Sequence, residues 1–127
     1  MNKVYQSGRL VKEPEIITAT SGIKIAKFTI AFKRKYKNEQ GEYESDFFNC
    51  SAFRNNADYI EKYIKKGYLV NIVGRLENRS FEANGEKKYY TEIVIEEIES
   101  CTTKTNVEKE VANGNLKPIN FDDNFPF

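Results

Sequence analysis

The sequence predicts an all-β chain carrying one short helix. Three observations predict it. Apolar residues alternate with period two in five segments, and clusters of Asn, Gly, Ser and Pro punctuate them. Only the stretch between the third and fourth segments has helical spacing.

The first strand runs from Val4 to Leu10 and stops near Glu13-Pro14, where proline removes a backbone donor. Thr20-Ser21-Gly22 turns the chain into a long second strand over Lys24 to Tyr36. Asn38-Glu39-Gln40-Gly41 is the next turn, and a third strand follows over Tyr43 to Phe53. The helix comes next, with Asn55 or Asn56 able to cap it and Ala57, Ile60 and Ile64 on one face. Asp58 and Glu61 lie early and Lys62, Lys65 and Lys66 late, as the helix dipole favours, and Gly67 is suited to end it. A fourth strand over Tyr68 to Phe81, the hairpin signal Asn84-Gly85 and a fifth strand over Lys88 to Cys101 complete the series. Five strands with a helix between the third and fourth is the order of the OB-fold, a Greek-key barrel, here with extended hairpins.

At 127 residues the chain is one domain with little left over. Residues 1–105 form the barrel domain, 106–121 a flexible tether and 122–127 an acidic tip. The tether lacks any sustained period, and from Asn106 to the end the extended chain could span about 75 Å. It also divides the charge: Lys109 and Lys117 face Glu108, Glu110, Asp122 and Asp123, so the body is net basic and the tail net acidic.

Composition excludes much chemistry. Histidine is absent, which removes imidazole bases, Ser/His and Cys/His pairs and His-containing metal sites. Cys50 and Cys101 have no CxxC partner and read as two small buried or partly buried thiols. No phosphate-binding glycine motif is present. Expectations are therefore no enzymatic activity, no metal and no cofactor. The apolar runs are too short for a membrane span and the start lacks a signal-peptide core, so the expected location is cytoplasmic, with no membrane contact.

Strand parity separates the two faces. Phe48, Cys50 and Ala52 share the interior side of the third strand, whereas Phe47, Asn49, Ser51 and Phe53 share the other. In the second strand Ala26, Phe28, Ile30 and Phe32 point inward. Lys27, Thr29, Ala31, Lys33 and Lys35 point outward, with Arg34 and Tyr36 near the strand end. In the fourth, Arg75, Arg79 and Phe81 oppose Val70, Ile72, Gly74 and Leu76. Rings interleaved with positive charge suit unpaired nucleic acid, because cations neutralise phosphates while rings stack on exposed base faces. The bland alternative packs these rings beneath loops or at a subunit contact.

Several segments in order resemble the bacterial single-stranded DNA-binding proteins: Asn2-Lys3-Val4, Gly8-Arg9-Leu10, Pro14-Glu15, Ser21-Gly22 and Ala26 to Ala31. The resemblance continues through Asp46 to Cys50, Lys65-Lys66-Gly67, Val73 to Leu76 and the terminal Asp122-Asp123-Asn124-Phe125-Pro126-Phe127. It implies an OB-fold homotetramer that wraps single-stranded DNA without sequence specificity. The family's stacking rings fall on Tyr36, Phe47, Phe53 and Phe81, the rings already marked by parity. Phosphate contacts fall on Lys33, Lys35, Lys66, Arg75 and Arg79, with Arg9, Arg54 and Lys88 as secondary positions. Relatives often carry tryptophan at stacking positions and a third acid in the tip; this chain has neither.

The tip has its own reading. Asp122, Asp123, Phe125, Pro126 and Phe127 offer rings for a pocket and carboxylates for a partner's Lys or Arg, a known mode of recognition; the bland alternative is a frayed end. With the resemblance, the expected partners are single-stranded DNA, further copies of the chain, and enzymes of DNA replication, repair and recombination. Three rival readings remain at this level: an RNA-binding barrel, a protein-interaction scaffold and a nuclease.

Overall fold

The computed structural model describes residues 1–102. Six strands and one helix follow in order: β1 Val4–Leu10, β2 Glu15–Thr18, β3 Lys24–Lys37, β4 Tyr43–Phe53, α1 Asn55–Tyr63, β5 Leu69–Ala83 and β6 Glu86–Ser100. One sheet runs β1-β5-β6-β4-β3-β2, and a further β1–β3 pairing at Arg9–Ala31 and Leu10–Ile30 closes it into a barrel. The OB-fold expected from the element order is the fold observed.

The interior follows the parity rule. Ala26 and Ile30 of β3, Cys50 and Ala52 of β4, and Val70 and Ile72 of β5 are buried together with Leu10. Ala57 and Ile60 of α1, and Ile64 just past it, are fully buried in the same core. Each buried Val, Leu or Ile side chain there stabilises the fold by about 1.5–3 kcal/mol. Desolvation in this core, with the Glu92 charge nearby, pushes the Cys50 thiol up to about 12. Cys101, in contrast, is exposed, which corrects the expectation of two sheltered thiols.

Four local features depart from expectation. The sequence suggests no strand between Pro14 and Thr20, yet β2 pairs with β3 from Glu15–Lys27 to Thr18–Lys24. Helix α1 is capped by neither asparagine: Arg54 takes the cap position at φ 58°, without a side-chain bond. Asn56 instead donates to the carbonyls of Ile95 and Glu96, at 3.5 and 3.2 Å. Those carbonyls flank a bulge where Val73 pairs with Glu97 but Gly74 with Ile95, so Asn56 satisfies backbone that the ladder leaves open. The helix also ends at Tyr63, so Lys65 and Lys66 belong to the following turn, in which Gly67 has φ 86°. Finally, Leu76 keeps the inward parity of Ile72 but is 49% exposed. It lies beyond Val4, which pairs with Gly74, so no residue of β1 covers it.

Gly74 is constrained by close approach. A Cβ there would strike the carbonyl oxygen of Val94 and the Cγ2 of Ile93, so only glycine lets β5 lie this close to β6. Past this point β5 and β6 continue as a long hairpin, pairing out to Ala83–Glu86. Asn84 at φ 54° and Gly85 at φ 80° form the tight turn that their dipeptide signals.

Candidate nucleic-acid interface

The outer faces of β3, β4, β6 and β5 form one continuous surface. Register places Ile25 beside Phe53, Lys27 beside Ser51, Thr29 beside Asn49 and Ala31 beside Phe47. Across the sheet, β4 meets β6 in parallel at Cys50–Ile93 and Ser51–Val94, and Arg79 and Phe81 of β5 lie opposite Tyr90 and Lys88 of β6. A cleft of about 310 Å³ opens on this face, lined among others by Lys12, Lys27, Thr29, Asn49, Tyr90 and Glu92. It lies between the loop after β1 and the β5–β6 hairpin, where OB barrels hold oligonucleotides and oligosaccharides.

The expected rings are distributed along this face. Phe53 is half-buried at one end of β4. Phe47, half-buried at the other, packs against Val11 and Ala31, so its ring is held from below. Six residues of strand separate the two by about 20 Å. Phe81 is 47% exposed on the hairpin, its ring centroid 5.9 Å from that of Tyr90. Tyr36 is 67% exposed on the β3–β4 hairpin, where a register shift between Lys33 and Lys37 breaks the alternation. The rings therefore mark a path across the barrel face and out along two arms. Tyr90 escaped the sequence reading, although its parity with Lys88 and Glu92 would have placed it on this face.

The positive charges are less uniform than the sequence suggested. Lys33 and Lys35 are exposed, and the Lys33 ammonium sits 5.1 Å from the Tyr43 ring centroid. Arg75 is paired with Glu77 at 2.7 Å. Arg79 donates through Nε to Glu92 at 2.6 Å and reaches Glu77 at 3.4 Å. The hydrogen bond to Glu92 raises the Arg79 pKa above its ordinary value and keeps it charged. Lys66 lies beside the cleft residue Glu13, to which its backbone N–H donates at 3.1 Å. Arg9 is turned to the Gly67 carbonyl at 3.0 Å, while Arg54 and Lys88 are exposed.

The floor of the cleft is acidic. Glu92 is only 5% exposed, and besides Arg79 it accepts a 2.7 Å hydrogen bond from the Ser51 hydroxyl. Ser51 has the outward parity the sequence assigns but is buried beneath this contact. Thr29 donates to Asn49 Oδ1 at 3.1 Å, which directs polar groups of both strands along the cleft. Arg79 matches the Glu92 charge, and Lys12 and Lys27 stand with Glu13 and Glu15 in the lining of the cleft.

Among the described residues, no group of three or more His, Cys, Asp or Glu side chains is placed to hold a metal ion. No helix among them is long and apolar enough to cross a membrane. The tether 106–121 and the tip residues Asp122, Asp123, Phe125, Pro126 and Phe127 lie outside the described residues.

A closed OB barrel with ring-bearing strands, basic arms and an oligonucleotide-type cleft defines a binding barrel of the kind that holds unpaired nucleic acid. The chain belongs to the single-strand binding protein family, whose family model matches residues 1–101. It is 38% identical over 123 residues to single-stranded DNA-binding protein 3 of Listeria innocua, covering 95% of this chain and 77% of that protein. With single-stranded DNA-binding protein 1 of Staphylococcus aureus the identity is 42% over 105 residues, and the match spans 63% of that relative's length. Among solved structures, the Plasmodium falciparum SSB complex with ssDNA superposes with a TM-score of 0.71 at 28% identity, over 80% of this chain and 96% of that one.

Proposed function

We propose that the protein binds single-stranded DNA without sequence specificity and coats it stoichiometrically, protecting it during replication, repair and recombination. The observation that carries this reading is the run of Phe47, Phe53, Tyr90 and Phe81 across one barrel face, with Lys33 and Lys35 at its edge. Stacking on such rings contributes about 1–3 kcal/mol per base and accepts any base. Duplex DNA hides those base faces. The similar Plasmodium falciparum structure is a complex with ssDNA, which supports the same ligand.

On this reading the protein acts in the cytoplasm by binding rather than catalysis, and assembles as a homotetramer, as its family resemblance implies. Residues 122–127 recruit genome-maintenance enzymes through Phe127, Pro126 and the acidic pair. Several tails on one assembly raise the effective concentration seen by a partner.

Titration with single-stranded DNA, followed by quenching of tyrosine fluorescence at several salt concentrations, tests the reading. Saturable quenching that weakens with salt is expected, and a matched RNA oligonucleotide should compete poorly. Equal competition by RNA would move the assignment to an RNA-binding barrel. Removing residues 122–127 should leave DNA binding intact or slightly tighter while abolishing partner capture. Loss of DNA binding on that truncation would refute the division of labour.

A further inference from the structure

A second and larger cleft, of about 750 Å³, lies off the main groove. Tyr59, Tyr63 and Tyr68 line it with Lys62 and Lys65. Its chemistry is that of the groove without the acid: among the described residues no carboxylate lines it, whereas Glu13, Glu15 and Glu92 line the first. The helix acids are drawn away, since Lys24 of β3 holds Asp58 at 3.0 Å and Glu61 at 2.8 Å. Among the described residues, no ion pair engages Lys62 or Lys65. The rings are set in place: Tyr59 and Tyr63 are tilted at 47° with centroids 5.2 Å apart, and the Tyr59 hydroxyl accepts the Ser100 N–H at 3.2 Å. Tyr63 remains 56% exposed.

The two clefts share a wall. In the turn after α1, Lys66 N–H is bonded to Glu13, a residue of the groove, and Gly67 N–H to the Leu10 carbonyl at 2.8 Å. Lys65 and Tyr68 of the same turn line the second cleft, and Tyr68 N–H closes the turn on the Lys65 carbonyl at 3.1 Å. A strand leaving the groove beside Lys12 and Glu13 meets this ridge first and the tyrosines next.

We propose that the tyrosine cleft continues the single-strand track. Tyr63 stacks an unpaired base, and Lys62 and Lys65 neutralise the phosphates on either side. This inference rests on the DNA-binding reading above and extends it to Tyr63, Lys62 and Lys65, to which the family resemblance assigns no DNA contact.

The test compares short and long oligothymidylates, from about 4 to about 16 nucleotides, on the full chain. Variants are Tyr63→Ala, Tyr63→Phe and the pair Lys62→Ala/Lys65→Ala. Wild-type affinity should rise once the oligonucleotide outgrows the groove. Tyr63→Ala should lose that rise, about tenfold on the long oligonucleotide, with the short one unaffected, and Tyr63→Phe should restore it. The double lysine variant should lower the salt slope of the long oligonucleotide alone, by about 1.4 for two phosphates. Wild-type behaviour of Tyr63→Ala and the lysine pair at both lengths would overturn the proposal. So would unchanged DNA binding together with lost binding of a peptide of residues 120–127, because the cleft would then be a peptide site. Failure of the wild-type chain to bind even the short oligonucleotide would overturn the underlying reading, and this extension with it.

Discussion

The Ser51 hydroxyl donates a 2.7 Å hydrogen bond to the Glu92 carboxylate across the junction of β4 and β6. The carboxylate's other oxygen holds Arg79. Replacing Glu92 with alanine strands a buried hydroxyl and half of an arginine's partners. The variant should lose about 1–3 kcal/mol of stability, read from its urea midpoint. An unchanged midpoint would mean that water replaces both contacts without cost.

The rings should contribute alike to base stacking but differently to the fold. Phe53→Ala and Phe81→Ala should each weaken oligonucleotide binding by about 1–3 kcal/mol and leave the fold almost untouched. Phe47→Ala should weaken binding by a similar amount but also lower thermal stability, because Phe47 packs on Val11 and Ala31. Binding isotherms beside melting curves separate the two effects. If none of the three affects binding, the aromatic face contacts something other than nucleic acid.

The cations should differ in their salt signature. Lys33→Ala and Lys35→Ala should each reduce the slope of log affinity against log salt by about 0.7. Arg75 and Arg79 already face Glu77 and Glu92, so their removal should change that slope less. A larger effect at Arg79 than at Lys35 would show that DNA displaces the carboxylates.

Gly74→Ala should be destabilising by about 1–3 kcal/mol, since its methyl group would meet backbone, which cannot rotate away. In a domain of this size that lowers the melting temperature by several degrees, about 4–8 °C per kcal/mol. An unaltered melting temperature would show that β5 and β6 separate easily at this point.

Arg34 holds the Asp46 carboxyl below the ordinary carboxylate range, chiefly through hydrogen bonds at 2.8 and 2.9 Å. The folded value thus lies under the unfolded one, which is about 3.9. The stabilisation is complete above that value and is lost as pH falls through the folded one. Stability should therefore rise with pH through the acid range, and Asp46→Asn should flatten that rise. Identical pH profiles of urea midpoint for the two proteins would rule this out.

What could be read from sequence depended on how local the signal was. β1 and β4 were legible to the residue because alternation and turn chemistry agree at their ends. β2 was not, because Glu15-Ile16-Ile17-Thr18 is too short to show a period and directly follows Pro14. The start of α1 was misplaced because Arg54 adopts a positive φ that favours glycine, and the end because Lys65-Lys66-Gly67 has the composition of a helix terminus. Parity placed Phe47, Phe53 and Phe81 on one face, but Tyr36 lies where a register shift breaks the alternation and Tyr90 was missed. The carboxylates on Arg79 were not legible, since Glu92 reaches it from another strand. The tyrosine cleft was half hidden: Tyr59 and Tyr63 are neighbours by helical spacing, but Tyr68 joins them from the turn beyond α1, which spacing does not foresee.

The junction of β4 and β6 has one more consequence. These strands meet only at Cys50–Ile93 and Ser51–Val94, and the side chains that bridge them, Ser51 and Glu92, are 41 residues apart in sequence. This seam is thinly paired, by two residue pairs as is β1 on β3, and it joins the longer stretch of chain. It also runs along the bottom of the groove. A polymer lying across both lips would hold the barrel shut, so occupancy and local opening are two readings of one equilibrium. Amide exchange at Ser51 and Val94 should slow as the groove fills, making this thinly paired seam a gauge of how much strand it carries.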